Sequence, residues 1–132
     1  RKVYEDKDTL AILDINPVAL GHSLVIPKKH FATIHDIDES TLEALSRTVK
    51  AMADRLKDRL GAAGVSVLQN NGRHAGQLVD HIHFHVIPRF ENDGIQLHPP
   101  RSKVTEEGLK SVESKLKEEE KKEPEPSMDF GW

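Results

Sequence analysis

The sequence predicts a single α+β domain: an antiparallel sheet of about five strands, one long helix packed on it, and a C-terminal helix and tail. Three observations point there. Short apolar or alternating segments recur between turn residues, as in an antiparallel sheet. One long stretch, Thr41 to Leu60, repeats its apolar residues at spacings of three and four. The chain has 132 residues, the length of one domain.

The elements follow in order. Val3–Glu5 and Thr9–Leu13 read as strands joined by an Asp6-Lys7-Asp8 turn. Asp14–Gly21 reads as a loop opened by Asn16-Pro17. Ser23–Ile26 is a third strand, stopped by Pro27. In the long helix Leu42, Leu45, Val49, Met52, Leu56 and Leu60 form one stripe; Ser40 with Glu43 makes a capping-box pattern, and Gly61 and Gly64 end the helix. Val65–Leu68 is a fourth strand, Asn70–Gly76 a polar loop, and Val79–Ile87 a fifth strand closed by Pro88. Thr105 caps a second helix carrying Leu109, Val112 and Leu116. These elements set the domain at 1–112 and a charged extension at 113–132. That extension ends in Met128, Phe130 and Trp132, which are expected to be ordered against protein.

Composition narrows the function. Nineteen Lys and Arg against 22 Asp and Glu give a net charge of −3, the wrong sign for binding nucleic acid by bulk charge. No apolar run approaches the ~18 residues of a membrane span. Arg1-Lys2-Val3-Tyr4 already reads as a strand and not a signal peptide, so a cytoplasmic location is expected. The absence of cysteine excludes disulfides, thiolate zinc sites and a cysteine nucleophile in this chain.

Eight histidines stand out, three of them in His81-Ile82-His83-Phe84-His85-Val86-Ile87. Period-2 alternation on a strand places the three imidazoles on one face, about 7 Å apart, and Ile82, Phe84 and Val86 on the other. Three readings stay open. The face is merely solvent-exposed; or the imidazoles ligate a metal with further ligands from elsewhere; or one imidazole attacks an electrophile while its neighbours handle protons and charge. The preceding loop, Asn70-Asn71-Gly72-Arg73-His74-Ala75-Gly76-Gln77, favours the last, because amides and backbone N–H groups can cradle an anion.

The His-φ-His-φ-His-φ-φ pattern (φ apolar) resembles the signature of histidine-triad (HIT) proteins. Asp14-Ile15-Asn16-Pro17, the block from Gly21-His22 to Lys29-His30, and Gly76-Gln77 resemble the same family, most of all its nucleotide-binding branch. The resemblance implies a HIT-like fold and a hydrolase or transferase acting at an α-phosphorus. Adenosine phosphoramidates, adenylate conjugates and dinucleoside polyphosphates are the implied substrates, and a nucleotidyl-histidine the implied intermediate. It implies His83 as nucleophile, His85 at the phosphate or leaving group, and His81 and His22 in support. Asp14 is implied at the ribose hydroxyls, Ile15 at the base, and Asn70, Gly76 and Gln77 at the phosphate. Leu78 stands where that branch often has a serine or threonine, leaving a backbone N–H for the leaving group. His30, His35, His74 and His98 are expected outside the nucleophile's neighbourhood, with His35 and His98 on the surface.

HIT proteins dimerise by joining two sheets, so the implied state is a homodimer, with Trp132 near the partner's nucleotide site. Many members begin with a Cys-x-x-Cys segment ahead of the equivalent of Val3-Tyr4-Glu5. In such relatives the pair joins histidines matching His30 and His81 in a zinc site. No such segment precedes Arg1, and neither metal nor cofactor is expected. The alternative function is a nucleotide- or metal-binding module without turnover.

Overall fold

The structure, a computed structural model, describes residues 1–117. The described residues divide into two units, Arg1–Gln96 and residues 97–117.

The first unit is a five-stranded antiparallel sheet: β1 (Lys2–Glu5), β2 (Thr9–Leu13), β3 (Ser23–Pro27), β4 (Gly64–Leu68) and β5 (Phe84–Arg89), in the order β1-β2-β3-β5-β4. One 22-residue helix, α1 (Glu39–Leu60), packs on it. The β1–β2 turn is tied by Asp6, whose carboxylate accepts the N–H groups of Asp8 (2.9 Å) and Thr9 (2.7 Å).

The helical stripe meets one sheet face. Leu45, Met52 and Leu56 from α1 pack with Ala11, Val25 and Val86, all nearly or fully buried. Leu45 is completely enclosed, and its truncation to alanine costs roughly 2–5 kcal/mol. Thr9 and Thr48 are polar intruders in this interface and satisfy each other, hydroxyl to hydroxyl, at 2.7 Å.

Two boundaries differ from the expected ones. α1 begins at Glu39 and is capped by Asp38, not by Ser40. Asp38 has extended backbone (φ −76°, ψ 154°), and its carboxylate accepts from the Thr41 N–H (3.1 Å) and hydroxyl (2.7 Å), so Ser40 is already helical. These bonds hold the Asp38 carboxyl below its ordinary pKa. The fifth strand runs from Phe84 to Arg89 and not from Val79 to Ile87. Its ladder with β3 spans only Ser23↔Val86 to Val25↔Phe84, and upstream the Ile82 N–H donates to Phe31 O instead (2.7 Å). Pro88 halts one ladder only, since pairing with β4 continues to Gly64↔Arg89.

Gly21 joins the two layers. Its φ of +105° disfavours any side chain, and a Cβ there would stand 2.7 Å from Leu60 Cδ1 and 3.2 Å from Pro88 Cγ. The chain therefore passes closely under the end of α1 just before His22.

In the second unit α2 (Glu106–Leu116) is capped as expected by Thr105, whose side chain accepts from Gly108 N–H. The expected boundary at 112 falls inside this helix, and Met128, Phe130 and Trp132 lie outside the described residues. Among those residues no helix is long and apolar enough to cross a membrane.

The cap assignment is testable. Asp38→Ala lowers the thermal unfolding midpoint, whereas Ser40→Ala leaves it near wild type. The reverse order would restore Ser40 as the cap.

Candidate active site

The inner strands are apolar on both faces. Ala11 and Val25 enter the core, while Ile12, Leu24 and Ile26 line the other side. With Val79, His81 and His83 they line an open cavity of ≈ 290 Å³.

Hydrogen-bond partners assign the ring protons around it. His83 Nδ1 lies 2.8 Å from His81 O. A carbonyl only accepts, so Nδ1 carries the proton and the neutral ring keeps a lone pair on Nε2. His81 Nε2 donates to Pro27 O (2.9 Å), which leaves its Nδ1 to accept from His30 Nδ1, also at 2.9 Å. His30, expected apart from this group, is thus joined through His81 to His83.

A second chain starts from the backbone. The Val18 N–H donates to His22 Nδ1 (3.2 Å), so the proton of the neutral His22 ring sits on Nε2. That nitrogen is 2.9 Å from His85 Nδ1, which must accept, and the Nε2–H of His85 is left for a ligand. The His83 and His85 rings stand edge to face with centroids 5.0 Å apart. His22 and His81 therefore support different partners: His22 orients His85, and His81 holds His83 through its carbonyl.

Asp14 closes the group. Its Oδ1 accepts from Asn16 N–H (2.9 Å), its own N–H donates to His22 O (2.9 Å), and Oδ2 lies 3.7 Å from His22 Nε2. Burial pushes the His22 and His85 pKa values below the ordinary 6.5, with the Asp14 charge partly opposing.

The remaining expected residues divide. Asn70 places its amide nitrogen 3.8 Å from where a Cβ on Gly76 would stand, and Gly76 itself has φ +94°. Gln77 is buried and committed to the loop: Oε1 accepts from Gly72 N–H, and Nε2 donates to the carbonyls of Ala32 and Val79. Ile15 and Leu78 project into solvent, 87% and 94% exposed. His35 and His98 are exposed surface residues, as expected, and His74 lies exposed on a single 3₁₀ turn.

Asp14, His22 and His85 offer ligand atoms within 4.8 Å of one another. A cation on His22 Nε2 would force the ring proton onto Nδ1, where it would face the Val18 N–H, donor against donor. At His30 and His81 the facing Nδ1 atoms bond each other.

Sequence reasoning missed Ile12, Leu24, Ile26, Val79, His30 and the Val18 amide. Apolar residues at successive positions of two strands were the available signal for the cavity wall, since one helix can cover only one face.

The HIT domain family model matches residues 1–92. The chain belongs to the HIT family. A HIT-like protein of Methanocaldococcus jannaschii is 49% identical over 92 residues, covering 70% of each chain. The adenosine 5′-monophosphoramidase HNT1 of Candida albicans is 40% identical over 123 residues, 89% of this chain and 81% of that one. The crystal structure of a Bacillus subtilis HIT-family member superposes with a TM-score of 0.80 at 36% identity, covering 87% of this chain and 84% of that one.

The lowered His22 and His85 pKa values set a sign for this HIT protein's stability. Between the folded values and 6.5 the unfolded chain binds more protons. The contribution of this pair is complete above pH 6.5 and is lost as pH falls toward the folded values. Chemical denaturation across pH 7.5 to 5, with ring-proton NMR titration, checks it; folded midpoints at or above 6.5 would contradict the assignment.

Proposed function

We propose that this HIT protein hydrolyses purine nucleotide conjugates at the α-phosphorus, with P–N and acyl- or sulfo-adenylate bonds as its substrate class. The observation that carries the reading is the His83 ring: Nδ1–H held by His81 O at 2.8 Å and Nε2 free beside a cavity walled by aliphatic side chains. Similarity to the Candida albicans adenosine 5′-monophosphoramidase supports the same class.

The chemistry follows from the proton positions. His83 Nε2 forms a bond to phosphorus, and the bond to the leaving group breaks with its electron pair going to the leaving atom, which takes a proton from solvent. Positive charge on the nucleotidyl-imidazole is spread toward the His81 carbonyl through Nδ1–H. The His85 Nε2–H, fixed in direction by His22 and Val18, donates to oxygen or nitrogen at the reacting phosphorus, where negative charge develops. Water then attacks phosphorus, the N–P bond returns its pair to His83, and the water proton leaves to solvent.

Ile12, Leu24, Ile26 and Val79 suit the flat faces of a purine. The Asp14 carboxylate, 21% exposed, suits ribose hydroxyls. The Leu78 N–H and the Asn70 amide suit phosphate oxygens, while the N–H groups of Ala75, Gly76 and Gln77 are taken by loop carbonyls. The same reading takes the protein as a cytoplasmic homodimer. The pairing is supported by β4, a sheet edge with Val67 and Leu68 exposed.

His83→Ala abolishes turnover of adenosine 5′-phosphoramidate and leaves AMP affinity within about tenfold, a change of ~1.4 kcal/mol. Mass spectrometry of rapidly quenched wild-type protein finds a nucleotide adduct on His83. Hydrolysis retained by the alanine variant would reject the covalent reading.

A further inference from the structure

Between β4 and β5 the chain runs through one short 3₁₀ turn, Arg73–Ala75. The backbone bonds of that turn are local. The Ala75 and Gln77 N–H groups donate to Gly72 O, and the Gly76 N–H donates to Arg73 O. Local bonds curl a loop but do not place it on the protein. Its placement comes from a separate segment, residues 31–34, ahead of α1.

Three main-chain groups of that segment reach across. Phe31 O accepts from the Ile82 N–H (2.7 Å), between His81 and His83 in sequence. Ala32 O accepts from Gln77 Nε2 (2.7 Å), and the Ile34 N–H donates to Asn71 Oδ1 (2.7 Å). The segment is itself turned by Asp36, whose Oδ2 accepts from the Thr33 N–H (3.1 Å) and hydroxyl (3.3 Å). Gln77 also bridges the turn, accepting from the Gly72 N–H (2.7 Å) and donating to Val79 O (2.9 Å). Asn71 is braced by two amide bonds with Gln69, at 2.9 and 2.6 Å. Both amides thus face protein.

The order along the chain is regular. Asn71 follows Asn70, and Gln77 precedes Leu78. Each of the two groups suited to phosphate therefore stands beside one tether. We propose that Asn71 and Gln77 are positioning residues for a phosphate subsite: by tying the loop to Ala32 and Ile34 they aim the Asn70 amide and the Leu78 N–H at a nucleotide phosphate. The proposal rests on the nucleotide reading above and adds that residues 31–34 set the shape of the phosphate loop. Neutral donors hold an anion by direction, because a hydrogen bond weakens steeply when bent. A loop held in advance also loses less freedom when the ligand arrives.

AMP and adenosine differ by the phosphate alone, so the ratio of their affinities reads this subsite apart from base and ribose. Calorimetric titration of the full chain finds AMP bound roughly tenfold or more tighter than adenosine. Asn71→Ala and Gln77→Met each narrow that ratio several-fold and leave adenosine affinity within about twofold. Asn71 is half-buried, so its variant folds even where replacement of the buried Gln77 does not, and thermal melting identifies the folded chains. Equal weakening of both ligands, as a purely structural role would give, overturns the proposal. So does an unchanged ratio in a folded variant. A wild-type chain that binds AMP no better than adenosine overturns the phosphate subsite and this proposal with it, whereas turnover and the His83 adduct judge the hydrolase reading separately.

Discussion

The antiparallel pairing of β3 with β5 is the contact on which most of this molecule depends. Three residue pairs, Ser23↔Val86, Leu24↔His85 and Val25↔Phe84, join segments sixty residues apart in sequence. On one face the pairing puts Val25 and Val86 under α1. On the other it brings His22, at the entrance of β3, within hydrogen-bonding distance of His85. Core and histidine group are two sides of one short ladder, so a register slip there would disrupt both at once.

On the proposed reading, the site would meet anionic phosphate largely without fixed cations. Its donors are ring N–H groups and backbone amides, directed by a few carbonyl and amide contacts. Burial favours neutral imidazoles, and the neutral form of each ring has one tautomer consistent with its partners. The dipoles are therefore in place before a ligand arrives, and little reorganisation is left for the reaction itself.

Much of this was legible in the residues. Period-2 alternation placed His81, His83 and His85 opposite Ile82 and Val86 even though the hydrogen-bonded strand starts only at Phe84. Alternation reports side-chain direction, whereas ladder extent depends on where the neighbouring strand turns away, which no local pattern encodes. The helix stripe was equally plain, but its start was not, because Asp38 and Ser40 are both good caps and backbone geometry chooses between them. His30 was invisible as a site residue: its link to His81 spans 51 positions and leaves no periodic trace.

The Val18 contact has an unusual genetic consequence. The group that orients His22, and through it His85, belongs to the main chain and is the same for nineteen of the twenty amino acids. Side-chain replacement at a half-exposed position on this loop is then nearly silent, and only proline, which lacks the N–H, removes the donor. A determinant of ring orientation is in this way shielded from most point mutation, and alanine scanning is blind to it.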